Sequence, residues 1–243
     1  MSMTAPHSQK IAVPAITRAK CYYCCMSEWG SELREVADGQ FGLFTAAQAR
    51  ARGVERYELA RATHREVLRR VHHGVYAFVE SDHWCTFEDW AAQWLALDPS
   101  ADIRTRRRRP GAIVSHQTAA AIQNLGSITT NWLTLSGPQR INVRAERTRA
   151  YRRPLGRAGV DWHLYEGLPA ATPLRIVDDL AREVIDGGHL GTVVEQCLDE
   201  DLLTPEQLNA VCATHAHRWH QPAGDGEALV DLLLASAREP LGV

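Results

Sequence analysis

The sequence contains no apolar run approaching the roughly 20 residues that a membrane-spanning helix needs. It also lacks the basic start, apolar centre and small-residue cleavage site of a secretory leader, so the cytoplasm is the expected compartment. Its six cysteines do not form a disulfide framework: Cys21, Cys24 and Cys25 crowd together, while Cys85, Cys197 and Cys212 stand apart. Cys21 and Cys24 have zinc-knuckle spacing, but a tetrahedral site needs a second pair of ligands, and no metal is expected. There is no phosphate-cradling glycine loop and no Asp…Glu-x-Lys nuclease pattern, and no cofactor is expected.

What is present is the balance of a globular protein, with 45% hydrophobic and 23% charged residues over 243 positions. That length suits one large domain or two ordinary ones. Residues 1–26 read as a disordered leader, because an ordinary globular pattern begins only at Met26. The net charge of −2 conceals a sharp split. Residues 101–160 hold 12 arginines against Asp102 and Glu146, a balance of +10, while residues 161–243 hold 4 arginines against 15 acidic residues, a balance of −11. The basic region suits phosphates, and the acidic one suits a basic partner or a solvated helix face.

Residues 27–80 read as a winged helix-turn-helix. Trp29, Leu33 and Val36 put one apolar face on a helix over Glu28–Ala37, which Asp38-Gly39 ends. Thr45, with Gln48 three residues later, predicts a capping box for a helix over Ala46–Arg52, and Gly53 sits where a left-handed C-terminal residue is usual. A second helix is expected from Glu55 to Thr63 or His64. Val67–Val71 and Val75–Val79, joined at His72-His73-Gly74, then predict the hairpin of a wing. In such a unit the second helix enters the major groove and the wing meets phosphates. Arg56, Tyr57, Arg61, Thr63 and His64 are the candidates for base edges; Arg65, Arg69, Arg70, His72 and His73 are candidates around the hairpin.

The run Phe44–Val54, followed by Leu68–Tyr76, resembles the N-terminal winged-helix domain of AbiEi-type antitoxins of type IV toxin–antitoxin systems. Val114–Ala120 and Gly167–Ala181 are similar to segments that often follow that domain. The resemblance implies a transcriptional repressor of its own operon that binds inverted repeats in double-stranded DNA at its promoter. It also implies a cognate nucleotidyltransferase-like toxin as partner.

Residues 81–243 read as an α+β unit with a small sheet and a helical end, which makes the whole chain α+β. Trp84, Phe87, Trp90, Ala91, Trp94 and Leu97 fall at helical spacing and are expected to pack the two units together. Arg104 to Arg109 hold five arginines in six residues, read as a solvent-facing loop, with Arg106, Arg107, Arg108 and Arg109 as a second contact to the DNA backbone. Ser115 is expected to cap a helix ending at Gly126. Asn131–Ser136 and Arg140–Ala145 read as a hairpin about Gly137-Pro138, and Val160–Tyr165 as a further strand. After Thr172-Pro173 only helices are expected, roughly Leu174–Ile185, Leu190–Asp199, Pro205–His215 and Glu227–Ala237.

No catalytic residue is assigned, and the chain is not expected to be an enzyme. Ser115 and His116 are neighbours on a helix and are expected to point apart. Asp178 and Asp179 read as residues complementing a helix dipole, and His215, His217 and His220 as exposed histidines near a helix end. The alternative function is a protein-interaction module whose acidic helices hold a basic partner without specific DNA binding.

Overall fold

The computed structural model describes residues 29–81, 85–141 and 146–238. Three expected features lie outside the described residues: the leader with its cysteines, Trp84, and most of the strand expected over Arg140–Ala145.

The N-terminal unit runs α1 (Trp29–Asp38), β1 (Leu43–Thr45), α2 (Ala46–Arg50), α3 (Arg56–His64), β2 (Leu68–His72) and β3 (Val75–Phe78). Local chemistry sets each boundary. Thr45 accepts from the Gln48 backbone N–H while the Gln48 side chain accepts from the Thr45 N–H, closing the expected capping box at α2. Glu55 and Glu58 form the equivalent box at α3. Gly53 and Gly74 take positive φ angles of 79° and 74° at the two turns, a region open to glycine at little cost. The three strands form an antiparallel sheet in the order β1-β3-β2, with Leu43 opposite Ala77 and Leu68 opposite Phe78.

This sheet is covered on both faces. Phe44, Leu68 and Phe78 pack with Leu33, Leu59 and Ala62 from α1 and α3. Leu43, Val75 and Ala77 point the other way, into a larger core with Phe87 and Trp94. The expected tryptophan helix supplies that cover as α4 (Glu88–Ala96), with Trp94 fully buried.

The remaining order is α5 (Ile103–Arg108), β4 (Ile113–Val114), α6 (His116–Ile122), β5 (Leu133–Gly137), β6 (Thr148–Arg152), β7 (Trp162–Tyr165), β8 (Leu168–Ala171), α7 (Pro173–Glu183), α8 (Gly187–Asp199), α9 (Pro205–Ala213), a 3₁₀ turn (Ala216–Trp219) and α10 (Gly226–Arg238). Five strands form a mixed sheet, β6-β5-β4-β8-β7. The hairpin expected after β5 is corrected here, because both edges of β5 are taken: β4 pairs with it antiparallel on one side and Thr148–Arg152 parallel on the other, with Leu133 opposite Thr148 and Gly137 opposite Arg152. A parallel pair needs a crossover rather than a tight turn. The helical end follows the expected order, and α7 begins at Pro173 with Thr172 as its cap.

Candidate nucleic-acid interface

The helix α3 turns one side to the core through Leu59 and Ala62 and leaves the other open. At about 100° per residue, Arg56, Ala60, His64, Tyr57, Arg61 and the C-terminal Arg65 fall in order across one exposed arc. Tyr57 stands near its middle and is 70% exposed. Thr63 does not join this face: its hydroxyl donates to the Leu59 carbonyl at 2.8 Å, which spends its hydrogen on the helix itself. The end of α2 and the turn after it add two exposed cations absent from the sequence-based set, Arg50 and Arg52, and Arg52 lies at the 4.0 Å limit of contact with Glu32.

The hairpin is not a free flap. The Ala46 N–H donates to the Gly74 carbonyl at 2.8 Å, tying its tip to the start of α2. Arg69 is turned toward α4 and forms a two-pronged ion pair with Glu88, whose hydrogen bond raises the arginine pKa further. His72 is half-buried, and burial, helped by His73 and Arg70, lowers its pKa. At the tip Arg70 and His73 stay exposed, their side chains 2.6 Å apart.

The arginine run departs most from expectation. It is a helix, and Arg106 points inward with 6% exposure, not to solvent. Its guanidinium donates to the carbonyls of Trp94, Leu95 and Asp98 and lies 3.7 Å from the Trp94 ring centroid. Those carbonyls lie at and just past the end of α4 and each also accepts one long backbone N–H bond of 3.3 Å, so a cation there adds a second donor and meets the negative end of the helix dipole. Burial pulls the Arg106 pKa down to about 10, against an opposing pull from Asp98, and the side chain stays cationic at neutral pH. Arg107 is half-buried and donates to the Gly167 carbonyl at 2.9 Å. Arg104, Arg108 and Arg109 remain exposed.

A buried polar cluster lies behind β6. Ser115 and His116 were expected to diverge, but His116 takes a positive φ of 53°, which swings its Nδ1 to 2.9 Å from the Ser115 hydroxyl. Ser115 makes no capping bond with its side chain; its hydroxyl accepts from Ser136 at 2.8 Å. Asp179 stands 3.6 Å from the same Nδ1 and pairs with Arg153 and Arg175. Asp178 and Asp179 therefore do not complement a first turn: they lie past it in α7 and collect cations from three segments. His215 is buried rather than exposed and bonds Asp178 at 2.6 Å, whereas His217 and His220 are exposed.

This cluster holds serine, histidine and aspartate without the geometry of a relay. A relay uses the two ring nitrogens for different partners, and here one nitrogen faces both Ser115 and Asp179. All three residues are buried. Burial, aided by Arg153, Arg175 and Arg182, pulls the His116 pKa down to about 3, leaving a neutral ring stacked 4.1 Å from Tyr151. Among the described residues no group of three or more histidine, cysteine or acidic side chains could hold a metal ion.

Residues 31–79 match the family model of the transcriptional regulator AbiEi antitoxin. The match spans α1 through the hairpin, so the AbiEi resemblance expected from the sequence holds over the winged-helix unit. No curated protein matches the chain. Among solved structures, the crystal structure of the RV2827C protein from Mycobacterium tuberculosis superposes with a TM-score of 0.53 at 15% identity, covering 88% of this chain and 83% of that one. At that identity the likeness concerns the fold, and its coverage extends past residues 31–79 into the mixed sheet and helical end. Among the described residues no helix is long and apolar enough to cross a membrane.

Proposed function

We propose that the protein is a sequence-specific duplex-DNA-binding repressor of its own operon and the antitoxin of a type IV toxin–antitoxin pair. Its partner in that reading is a nucleotidyltransferase-like toxin, and its operator is an inverted repeat. The observation that carries the reading is the open arc of α3, where unpaired cationic and aromatic side chains surround Tyr57 on an AbiEi-type winged-helix unit. Arg56, Tyr57, Arg61 and His64 would face base edges; Arg65, Arg70 and His73 would meet phosphates, with Arg108 and Arg109 as a second backbone contact. Arg69, Arg106, Arg107, Thr63 and His72 leave the set, because their polar groups serve partners within the fold or are half-buried.

The test is an electrophoretic shift with the region upstream of the gene. A preference for that region over unrelated duplex of equal length supports the reading, and equal affinity for both contradicts it. Retention of the neighbouring gene's product by a protein that binds no DNA would favour an interaction module built on the acidic helices instead.

A further inference from the structure

Tyr57 is the most exposed large apolar side chain among the described residues, at 70%, ahead of Val79 at 49%. No hydrogen bond or ring contact holds it, in contrast to Trp132, whose ring carries the Arg149 guanidinium at 4.7 Å. It occupies the second position of α3, at the end of a recognition helix that reaches deepest toward base edges. Ala60, also exposed, follows Tyr57 by three residues and so lies beside it on the helix surface, and Arg61 follows Tyr57 by about one helical turn. The outward face thus presents an apolar strip with an unpaired guanidinium beside it.

Each feature has one best match in the major groove. The only apolar group a base pair offers there is the thymine C5-methyl, and the commonest partner of a free guanidinium is the O6/N7 edge of guanine. One helical turn is about 5.4 Å, against about 3.4 Å per base step along one strand. Tyr57 and Arg61 therefore address base pairs one or two steps apart. We infer that Tyr57 and Ala60 select a thymine by its methyl group, beside a guanine selected by Arg61, in each half-site of the operator. This rests on the DNA-binding reading above and adds to it the identity of the bases read.

The experiment selects duplexes from a randomised 20-bp library with the full chain, then measures affinity for the enriched duplex by fluorescence anisotropy. Enriched duplexes should carry a thymine within two steps of a guanine. Replacing that thymine by deoxyuridine removes only the methyl and should weaken binding about 4-fold, the value of one buried methyl-sized group. The penalty should shrink in Tyr57→Ala, which keeps only the Ala60 contact, at an exposed position where the fold has nothing to lose. Replacing the guanine by 7-deazaguanine should weaken wild-type binding and leave Arg61→Ala unaffected. Binding that ignores both base changes, or a deoxyuridine penalty undiminished in Tyr57→Ala, overturns the inference while leaving DNA binding intact. No enrichment and no duplex binding overturns the DNA reading along with it.

Discussion

Arg106 illustrates how one side chain can be claimed by structure before it reaches a ligand. It lies in a run of arginines that reads as a phosphate clamp, yet its guanidinium closes the end of α4. Arg106→Ala would remove a buried cation together with its hydrogen bonds to the Trp94, Leu95 and Asp98 carbonyls and is expected to destabilise the fold by roughly 1–3 kcal/mol in urea unfolding. It should leave the salt dependence of DNA binding unchanged in molecules that remain folded. Arg108→Gln with Arg109→Gln should do the opposite, keeping stability within about 0.5 kcal/mol while flattening the slope of log K against log salt by about 0.9 per lost phosphate contact. His116 gives a second residue-scale expectation. Its folded pKa of about 3 lies below the ordinary 6.5, so the unfolded chain binds the extra proton first on acidification. Stability should therefore be full above about pH 6.5 and fall between there and pH 3, at most by about 1.4 kcal/mol per pH unit. Burial opposes ionisation of Asp178, but the His215 hydrogen bond and Arg153 hold its pKa at about 2, so its own loss begins only below 3.8. Urea midpoints measured from pH 7 to pH 4.5 should decline in the wild type and decline less in His116→Gln.

At the scale of elements, the α2 cap joins two jobs. Thr45 closes the capping box and its hydroxyl donates to the Pro99 carbonyl, fastening the helix-turn-helix to the segment after α4. Thr45→Ala is expected to cost about 1–2 kcal/mol, and Thr45→Ser to recover most of it, as thermal melts would show. Elements governed by such local chemistry were legible in the sequence: the α2 box, the glycine turns at Gly53 and Gly74, the wing hairpin, and α7 opening at Pro173. What stayed hidden depends on contacts distant in sequence. The parallel pairing of β5 with β6 is set by a crossover, not by the Gly137-Pro138 turn that suggested a hairpin. The inward turn of Arg106 needs the end of α4 beside it, and no spacing rule encodes that. The pairing of Ser115 with His116 comes from a left-handed backbone at a non-glycine residue, which a helical wheel cannot represent. For the candidate interface, the helix and its exposed cations were readable, but the diversion of Arg69 to Glu88 was not.

At the scale of the whole chain, the winged sheet has no spare face. Its Leu43, Val75 and Ala77 lie in the same core as Phe87, Trp94 and the mixed sheet. Removing the rest of the chain would expose them, so the full protein is expected to unfold in one transition, with tryptophan fluorescence and far-ultraviolet circular dichroism coinciding. Two separate transitions would mean that the shared core contributes little. The same packing would hold the α3 arc on a rigid frame rather than on a tethered domain.

Whether the α3 arc reads duplex DNA is decided by the affinity of wild-type protein and Arg61→Ala for the gene's own upstream duplex and for a scrambled duplex of equal length. Wild type is expected to prefer its own upstream duplex and Arg61→Ala to lose about 1–3 kcal/mol of that preference, while affinity for the scrambled duplex changes far less. An Arg61→Ala protein that discriminates as well as the wild type would contradict that reading.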